Sequence, residues 1–521
     1  MREVELAKVD DLKDGEMQAC SAGETKVLLA RVNGRFHAVG ATCPHYGAPL
    51  AEGALCGERL ICPWHHASFD VTTGDLLEPP ALDALPRYEV KVEDGRVIAV
   101  LPDEAADRRT PPMVGRDARR DDRTFVILGG GAAGYMAAQT LREEGFQGRV
   151  LMITREDRLP YDRPNLSKDY LHGHAEPEWM PLRPDEFFSE HEIEVWRGRE
   201  VARVDAKTKT VSFKDGAQLV YDALLVATGG EPRTLPVSGR ELKNVLTLRS
   251  FADADAIIAA AENAKRAVVV GASFIGMEAA FSLRTRGLEV TVVGPERTPF
   301  ERTLGAEIGA LFQKIHESNG VQFRLGAKAE RIAGAGQVEA VALEGGEKIA
   351  ADLVVAGVGV RPATDFLEGV ALGEDGGVIV DAHLRAADSL YAAGDIARFT
   401  DARTKESARI EHWRTALQQG RTAARNMAGR ATVYDAAPFF WTTQFDTTLA
   451  YVGHATKWDE IIFDGEVEKK DFLAFYVEGD RVKAVAGMNR DREMAMIEDL
   501  MRRDNLPAPA TLKAGKLILK I

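Results

Sequence analysis

The sequence predicts a multidomain chain, with a small all-β domain followed by two Rossmann-like α/β nucleotide-binding domains and a C-terminal α+β domain. Three observations predict it. Residues 1 to about 103 run in short alternating segments (KVLLARV, RFHAVG, YEVKVEDGRVIAVL) punctuated by Gly, Pro and Asp, as in small all-β domains. Two later stretches, TFVILGGGAAGYMAAQTLREEG and KRAVVVGASFIGMEAAFSLRTRG, repeat one plan of buried strand, tight Gly turn and amphipathic helix. From about Pro438, strands such as KKDFLAFYVEGDRVKAVAGM join a helix near REMAMIEDLMRR, which reads as a separate cap. A chain of 521 residues is also too long for one hydrophobic core.

Composition narrows the function by exclusion. The 45% apolar and 28% charged fractions are those of an ordinary globular protein. A formal charge of −14 opposes non-specific binding to nucleic acid or an anionic membrane, which draws on clustered Lys and Arg. The opening MREVELAKVDDLKDG has acidic residues and no apolar core of signal-peptide length, and no later run is long and apolar enough to span a bilayer. A cytoplasmic location is the expectation. The segment Pro102 to Arg123 is rich in Pro and charge and is expected to be a flexible tether.

All four cysteines, Cys20, Cys43, Cys56 and Cys62, lie in the first 62 residues. Cys43-Pro44-His45 and Cys62-Pro63-Trp64-His65 form a C-x-H-x16-C-x-x-H pattern. Two thiolates can hold one iron of a 2Fe-2S cluster and two imidazoles the other; zinc on the same Cys2His2 set is the alternative. His66 reads as a solvated neighbour or a support to the ligands rather than a ligand, and Cys20 and Cys56 as small buried apolar residues. The loops CPHYGAPLAEG and CPWHHASFDVTTG resemble those of the Rieske ferredoxin family, which favours the cluster over zinc. High-potential relatives have an extra cysteine in each loop, forming a disulfide, where this chain has Ala48 and Trp64. They also carry hydroxyl donors to the cluster where Ala67 and Phe69 stand here. Fewer donors disfavour the reduced cluster, so a low-potential centre is expected.

In the first α/β unit, Gly129-x-Gly131-x-Ala133-Gly134 follows a buried strand and opens a helix, so backbone amides can receive a pyrophosphate. Glu156, beside Arg155 and after the strand RVLMIT, is the candidate for ribose hydroxyls; a purely structural Gly turn is the competing reading. In the second unit, Gly271-Ala272-Ser273-Phe274-Ile275-Gly276 has Ser273 for the middle glycine.

Three further segments, LLVATGGEPR, LYAAGDIARF and DRLPYDRPNLSKDYL, complete a resemblance over about residues 122 to 521. The chain resembles the pyridine-nucleotide reductases that serve ferredoxins and rubredoxins, and the apoptosis-inducing-factor family with its Rieske-bearing branch. The resemblance implies a glutathione-reductase-like pair of nucleotide domains binding FAD and NADH or NADPH. It implies Asp395 beside Gly394 on the FAD ribityl chain, Arg163 and Lys168 along the FAD, and Thr228, Gly229 and Arg233 facing it. Glu411, His412 and Trp413 would close the flavin pyrimidine end, Trp441 would wall the isoalloxazine ring, and Gly359 marks the return to the flavin domain. Lys168 and Glu278 would sit near flavin N5 as the catalytic pair, against the reading of Glu278 as a solvated helix residue. Where NAD-specific relatives are acidic this chain has Gly294, then Glu296 and Arg297. Glu296 suits a ribose hydroxyl and Arg297 a 2′-phosphate, with NADH slightly favoured.

These assignments divide the chain into a Rieske domain (1–103), a linker (104–122), an FAD-binding domain in two parts (123–243 and 371–435), an NAD(P)-binding domain (244–370) and a C-terminal α+β domain (436–521). The expected activity is electron transfer from NAD(P)H through FAD to the fused cluster, and on to an unnamed oxygenase, ferredoxin or cytochrome. A redox sensor or an NAD(P)H oxidase are the alternatives, and a homodimer is compatible with the fold. No cysteine follows Cys62, which excludes disulfide-reductase chemistry.

Overall fold

The computed structural model describes residues 1–515. In the N-terminal domain a six-stranded antiparallel sheet runs in the order Arg2–Lys8, Arg96–Leu101, Arg87–Glu93, Arg35–Gly40, Thr25–Val32, Met17–Ala22. A second sheet of four short strands, from Ala54–Cys56 to Leu76–Glu78, packs against it through Leu28, Val39, Leu50, Leu60, Phe69 and Leu85. The first ligand loop leads into this smaller sheet and the second connects its strands Arg59–Ile61 and Ser68–Asp70. Each is a tight hydrogen-bonded turn, closed by Cys43 N–H donating to the Ala48 carbonyl and Cys62 N–H to that of Ala67, both at 2.9 Å.

The two Gly-turn segments each seed a parallel sheet. In the first, Ile193–Trp196, Arg149–Ile153, Thr124–Leu128, Ala223–Val226 and Leu390–Ala392 lie in that order, all parallel. The last strand arrives from beyond the second α/β unit. In the second, Val245–Thr247, Leu353–Ala356, Arg266–Val270, Glu289–Gly294 and Gln322–Leu325 are likewise parallel. Both central strands are continuous apolar runs because helices cover both faces of such a sheet. At Gly129 φ is +117°, and a Cβ would stand 2.2 Å from the Ala227 carbonyl; one at Gly134 would stand 1.9 Å from the Gly129 carbonyl. Only glycine permits the turn and the close seat of helix Ala132–Glu143 on its strand.

The C-terminal unit is a five-stranded antiparallel sheet, Phe439–Gln444, Thr447–Gly453, Arg481–Met488, Asp471–Glu478, Glu460–Glu466. Helix Asp491–Arg502 packs on it through Met494, Ile497 and Met501.

The segment 102–123 differs from the expected flexible tether. Arg109 bridges to Ala84 and its guanidinium reaches the carbonyls of Thr73 and Leu85 and the carboxylate of Asp75. Farther along, Val114 N–H donates to Arg142 O and Asp117 N–H to Gln147 O. Hydrogen bonding, which a hydropathy pattern does not register, ties this polar segment to the domains on either side.

The N-terminal domain is keyed to the rest by buried charge. Asp83 receives a bidentate pair from Arg183 at 2.7 and 2.9 Å. Arg414, fully buried, donates to Pro79 O at 2.9 Å and pairs with Glu78 at 3.0 Å and Glu498 at 3.5 Å. Arg59 pairs with the same two acids at 2.9 and 3.7 Å.

Candidate functional site

The tight turns at Cys43 and Cys62 bring the four expected ligands together as two pairs. The Cys43 and Cys62 thiols lie close enough to shift each other's ionisation, and His45 Nδ1 faces His65 Nδ1 at 3.1 Å. One metal ion about 2 Å from each nitrogen spans that gap. Burial drives His45 down to about 3 and His65 well below its usual value, so both imidazoles are neutral, as ligand nitrogens must be. Among the described residues no three such groups converge on one point. A pair of sulfurs and a pair of neutral nitrogens fit the two irons of a 2Fe-2S cluster. His66 is fully buried and stacks on Phe439 at 4.0 Å, so it is a packed neighbour of the ligand loop rather than a solvated one. Cys20 and Cys56 are buried, and burial pushes the Cys56 thiol up to about 12.

A cleft of about 1430 Å³ lies between the two parallel-sheet units. It is lined by Gly129, Gly131, Ala133, Glu156, Arg163, Lys168, Thr228 and Gly229 from the first part of the chain. Ser273, Phe274, Ile275, Glu278 and Gly359 line it from the second unit, and Gly394, Asp395, Glu411, His412, Trp413 and Trp441 from the remainder. Gly131 and Ser273 are the N-caps of Ala132–Glu143 and Phe274–Thr285, and neither helix has a side-chain cap. Their first-turn amides suit a pyrophosphate. His412 likewise precedes the uncapped helix Trp413–Met427, its Nδ1 buried without a partner and burial holding it down to about 3. Gly271 and Gly276 serve the turn: their Cβ positions would strike the carbonyls of Gly357 and Gly271. Arg233 lies outside the cleft, with Nε donating to Val360 O at 3.1 Å.

Charge inside the cleft is paired. Glu156 accepts from Tyr161 Oη at 2.6 Å and Arg163 at 2.9 Å; burial would raise its pKa, but the Arg163 guanidinium outweighs this and lowers it. Arg249 donates to Asp395 at 2.5 Å. Lys168 Nζ donates to the buried Glu278 carboxylate at 2.7 Å, so Glu278 is not a solvated helix residue. Glu296, outside the cleft lining, stands after strand Glu289–Gly294 with Oε2 buried and unpartnered. The neighbouring Arg297 is already paired with Glu301 at 2.9 Å.

The structure adds residues that no motif marked. Arg249, in TLRSFAD, pairs with Asp395 from a distant segment. Tyr46 donates to Asp162 and accepts from Asn165 at 2.7 Å, joining the first ligand loop to the RPNLSK segment. Trp441 lines the cleft and also packs against His65, with ring centroids 4.2 Å apart.

Residues 123–420 match the family model described as pyridine nucleotide-disulphide oxidoreductase, residues 2–89 the Rieske [2Fe-2S] domain, and residues 439–520 the reductase C-terminal domain. The chain is similar to apoptosis-inducing factor 3 of Homo sapiens, 40% identical over 510 residues, covering 96% of this chain and 84% of that protein. It is 33% identical over 394 residues to putidaredoxin reductase of Pseudomonas putida, covering 74% of this chain and 93% of that one. The solved covalent putidaredoxin reductase–putidaredoxin complex superimposes with a TM-score of 0.72 at 32% identity, covering 76% of this chain and 97% of that one.

Proposed function

The chain belongs to the pyridine nucleotide-disulphide oxidoreductase family, as a ferredoxin-reductase-type NAD(P)H oxidoreductase with FAD and a fused Rieske 2Fe-2S domain, and from that premise we propose that Trp441 is the side chain joining its flavin cleft to its cluster. FAD bound in the cleft would supply the conversion between two-electron hydride chemistry and the one-electron cluster. One contact carries the reading: the Trp441 indole lies at once in the cleft wall and against His65.

Cys43, His45, Cys62 and His65 would hold the cluster; Gly129, Gly131, Arg163, Asp395 and the N-terminus of helix Trp413–Met427 would hold the FAD. Lys168 and Glu278 face the nicotinamide side. The orphaned Glu296 acceptor, beside an Arg297 already spent on Glu301, supports NADH over NADPH, because ribose hydroxyls can donate to a carboxylate that would repel a 2′-phosphate. Tyr46 and Trp64, 43% and 40% exposed beside the cluster histidines, would offer the rim at which a one-electron protein acceptor docks.

The test is anaerobic mixing with NADH, following flavin bleaching optically and the reduced-cluster EPR signal in rapidly frozen samples. Trp441→Ala is expected to slow growth of the cluster signal far more than it slows flavin reduction, so that reduced flavin accumulates before the cluster signal appears. Equal cluster reduction in the variant removes Trp441 from the route.

A further inference from the structure

Behind Lys168 and Glu278 runs a polar chain for which the proposed function has no use. Glu278, 3% exposed, accepts at Oε2 from Ser167 Oγ at 2.5 Å and Lys168 Nζ at 2.7 Å. Its other oxygen, Oε1, accepts from Thr442 Oγ1 at 2.7 Å. Gln444 Nε2 donates to the same threonine oxygen at 2.9 Å, and Gln444 Oε1 lies 2.7 Å from His316 Nε2. Thr442, Gln444 and His316 are fully buried. Lys168, Glu278, Thr442 and His316 come from four separate segments of the chain.

The polarity of this chain is determined from both ends. Facing the Lys168 ammonium, the Glu278 carboxylate can only accept, so the Thr442 hydroxyl must donate to it and is free to accept from the Gln444 amide. The Gln444 carbonyl is thereby turned to His316, whose Nε2 must carry the hydrogen. His316 Nδ1 has no partner, and burial holds His316 down to about 4, which leaves the neutral Nε2–H tautomer. An amide at the centre does not relay protons as hydroxyls do. The arrangement therefore braces the carboxylate and is no proton wire.

We infer that Thr442, oriented by Gln444 and His316, is a positioning residue that holds Glu278 in register with Lys168 for the nicotinamide step. This rests on the reductase reading of that pair. Without the hydroxyl, Oε1 becomes a buried acceptor with no donor, and the carboxylate is free to turn. Misplacement of a site group by an ångström slows a hydride step on the order of 10- to 100-fold.

The experiment compares anaerobic flavin reduction by NADH in the holoprotein and in Thr442→Val, Thr442→Ser, Gln444→Met and Glu278→Ala. FAD absorbance and the dithionite-reduced cluster signal check that each variant is intact. Thr442→Val is expected to lower the limiting rate about 10- to 100-fold with the half-saturating NADH concentration little changed. Gln444→Met should follow it partway, and Thr442→Ser should return to within about twofold of the parent. Two outcomes overturn the brace alone: a normal rate in Thr442→Val while Glu278→Ala is slow, or a Thr442→Ser as slow as Thr442→Val, which would make the site one of packing. A normal rate in Glu278→Ala would instead remove the reading of the Lys168–Glu278 pair, and the brace with it.

Discussion

Cys62 donates its backbone N–H across its own turn and its thiol faces Cys43, so shape alone survives its loss while ligation does not. Cys62→Ser is expected to abolish the Rieske EPR signal and leave FAD at full occupancy, checked on the purified variant by iron content and visible spectrum; a normal signal would remove Cys62 from the ligand set. Glu296 offers a sharper contrast because its Oε2 has no hydrogen-bond partner among the described residues. Glu296→Ala is expected to raise the half-saturating NADH concentration about tenfold, the loss of roughly 1.4 kcal/mol of hydrogen bonding. NADPH should be unaffected or improved, as steady-state reduction of a dye acceptor will show. Ala67 bears on the cluster itself. It is fully buried in the second ligand loop and offers no hydroxyl. The cluster is expected near the low end of the Rieske range, about −150 mV, and Ala67→Ser should raise the potential in a redox titration followed by EPR. An unshifted midpoint would mean that position 67 does not reach the cluster.

At the scale of an element, strand Phe439–Gln444 carries two jobs on its two faces. Side chains alternate along a strand, so Phe439 and Trp441 meet His66 and His65, while Phe440 meets His412 and Thr442 meets Glu278. The segment PFFWTTQFD runs apolar then polar and shows no such alternation, and Trp441 was expected in the cleft only through the family resemblance. What each face would touch was not, because the partners lie on segments hundreds of residues away or on another unit. The short strand ending at Glu78 and the helix Trp413–Met427 make a second such joint. Burial alone would raise the pKa of Glu78, but the Arg59 and Arg414 guanidiniums outweigh it and bring it down to about 2. A depressed carboxyl contributes stability that is present above its unfolded value near 4.5 and lost as the pH falls toward 2. Glu78→Gln is therefore expected to cost about 3 kcal/mol near neutrality. The melting curves of variant and parent should begin to approach each other below pH 4.5 and converge as the pH falls toward 2; a pH-independent gap would mean that packing, not charge, sets the cost.

For the whole molecule, the cluster domain is seated rather than tethered. Arg183–Asp83, Arg414–Glu78 and the hydrogen-bonded segment 102–123 join it to the flavin unit, and this fixes the His65–Trp441 contact. The sequence by itself determined the cofactor complement and the order of the units. Cluster ligands lie in two short loops and each Gly turn in a few consecutive residues, so their spacing is local chemistry that any fold containing them must respect. The pairing of Cys43 with Cys62 and of His45 with His65 was expected from iron-ligand chemistry and the Rieske resemblance. Only the tertiary structure decided that Trp441 meets His65, that Arg249 meets Asp395, that Arg233 donates to Val360, and that Glu278 is hydrogen-bonded through Thr442 and Gln444 to His316. Each of these is one contact between distant segments, decided by how separately folded sheets dock, and such contacts leave no periodicity or spacing along the chain.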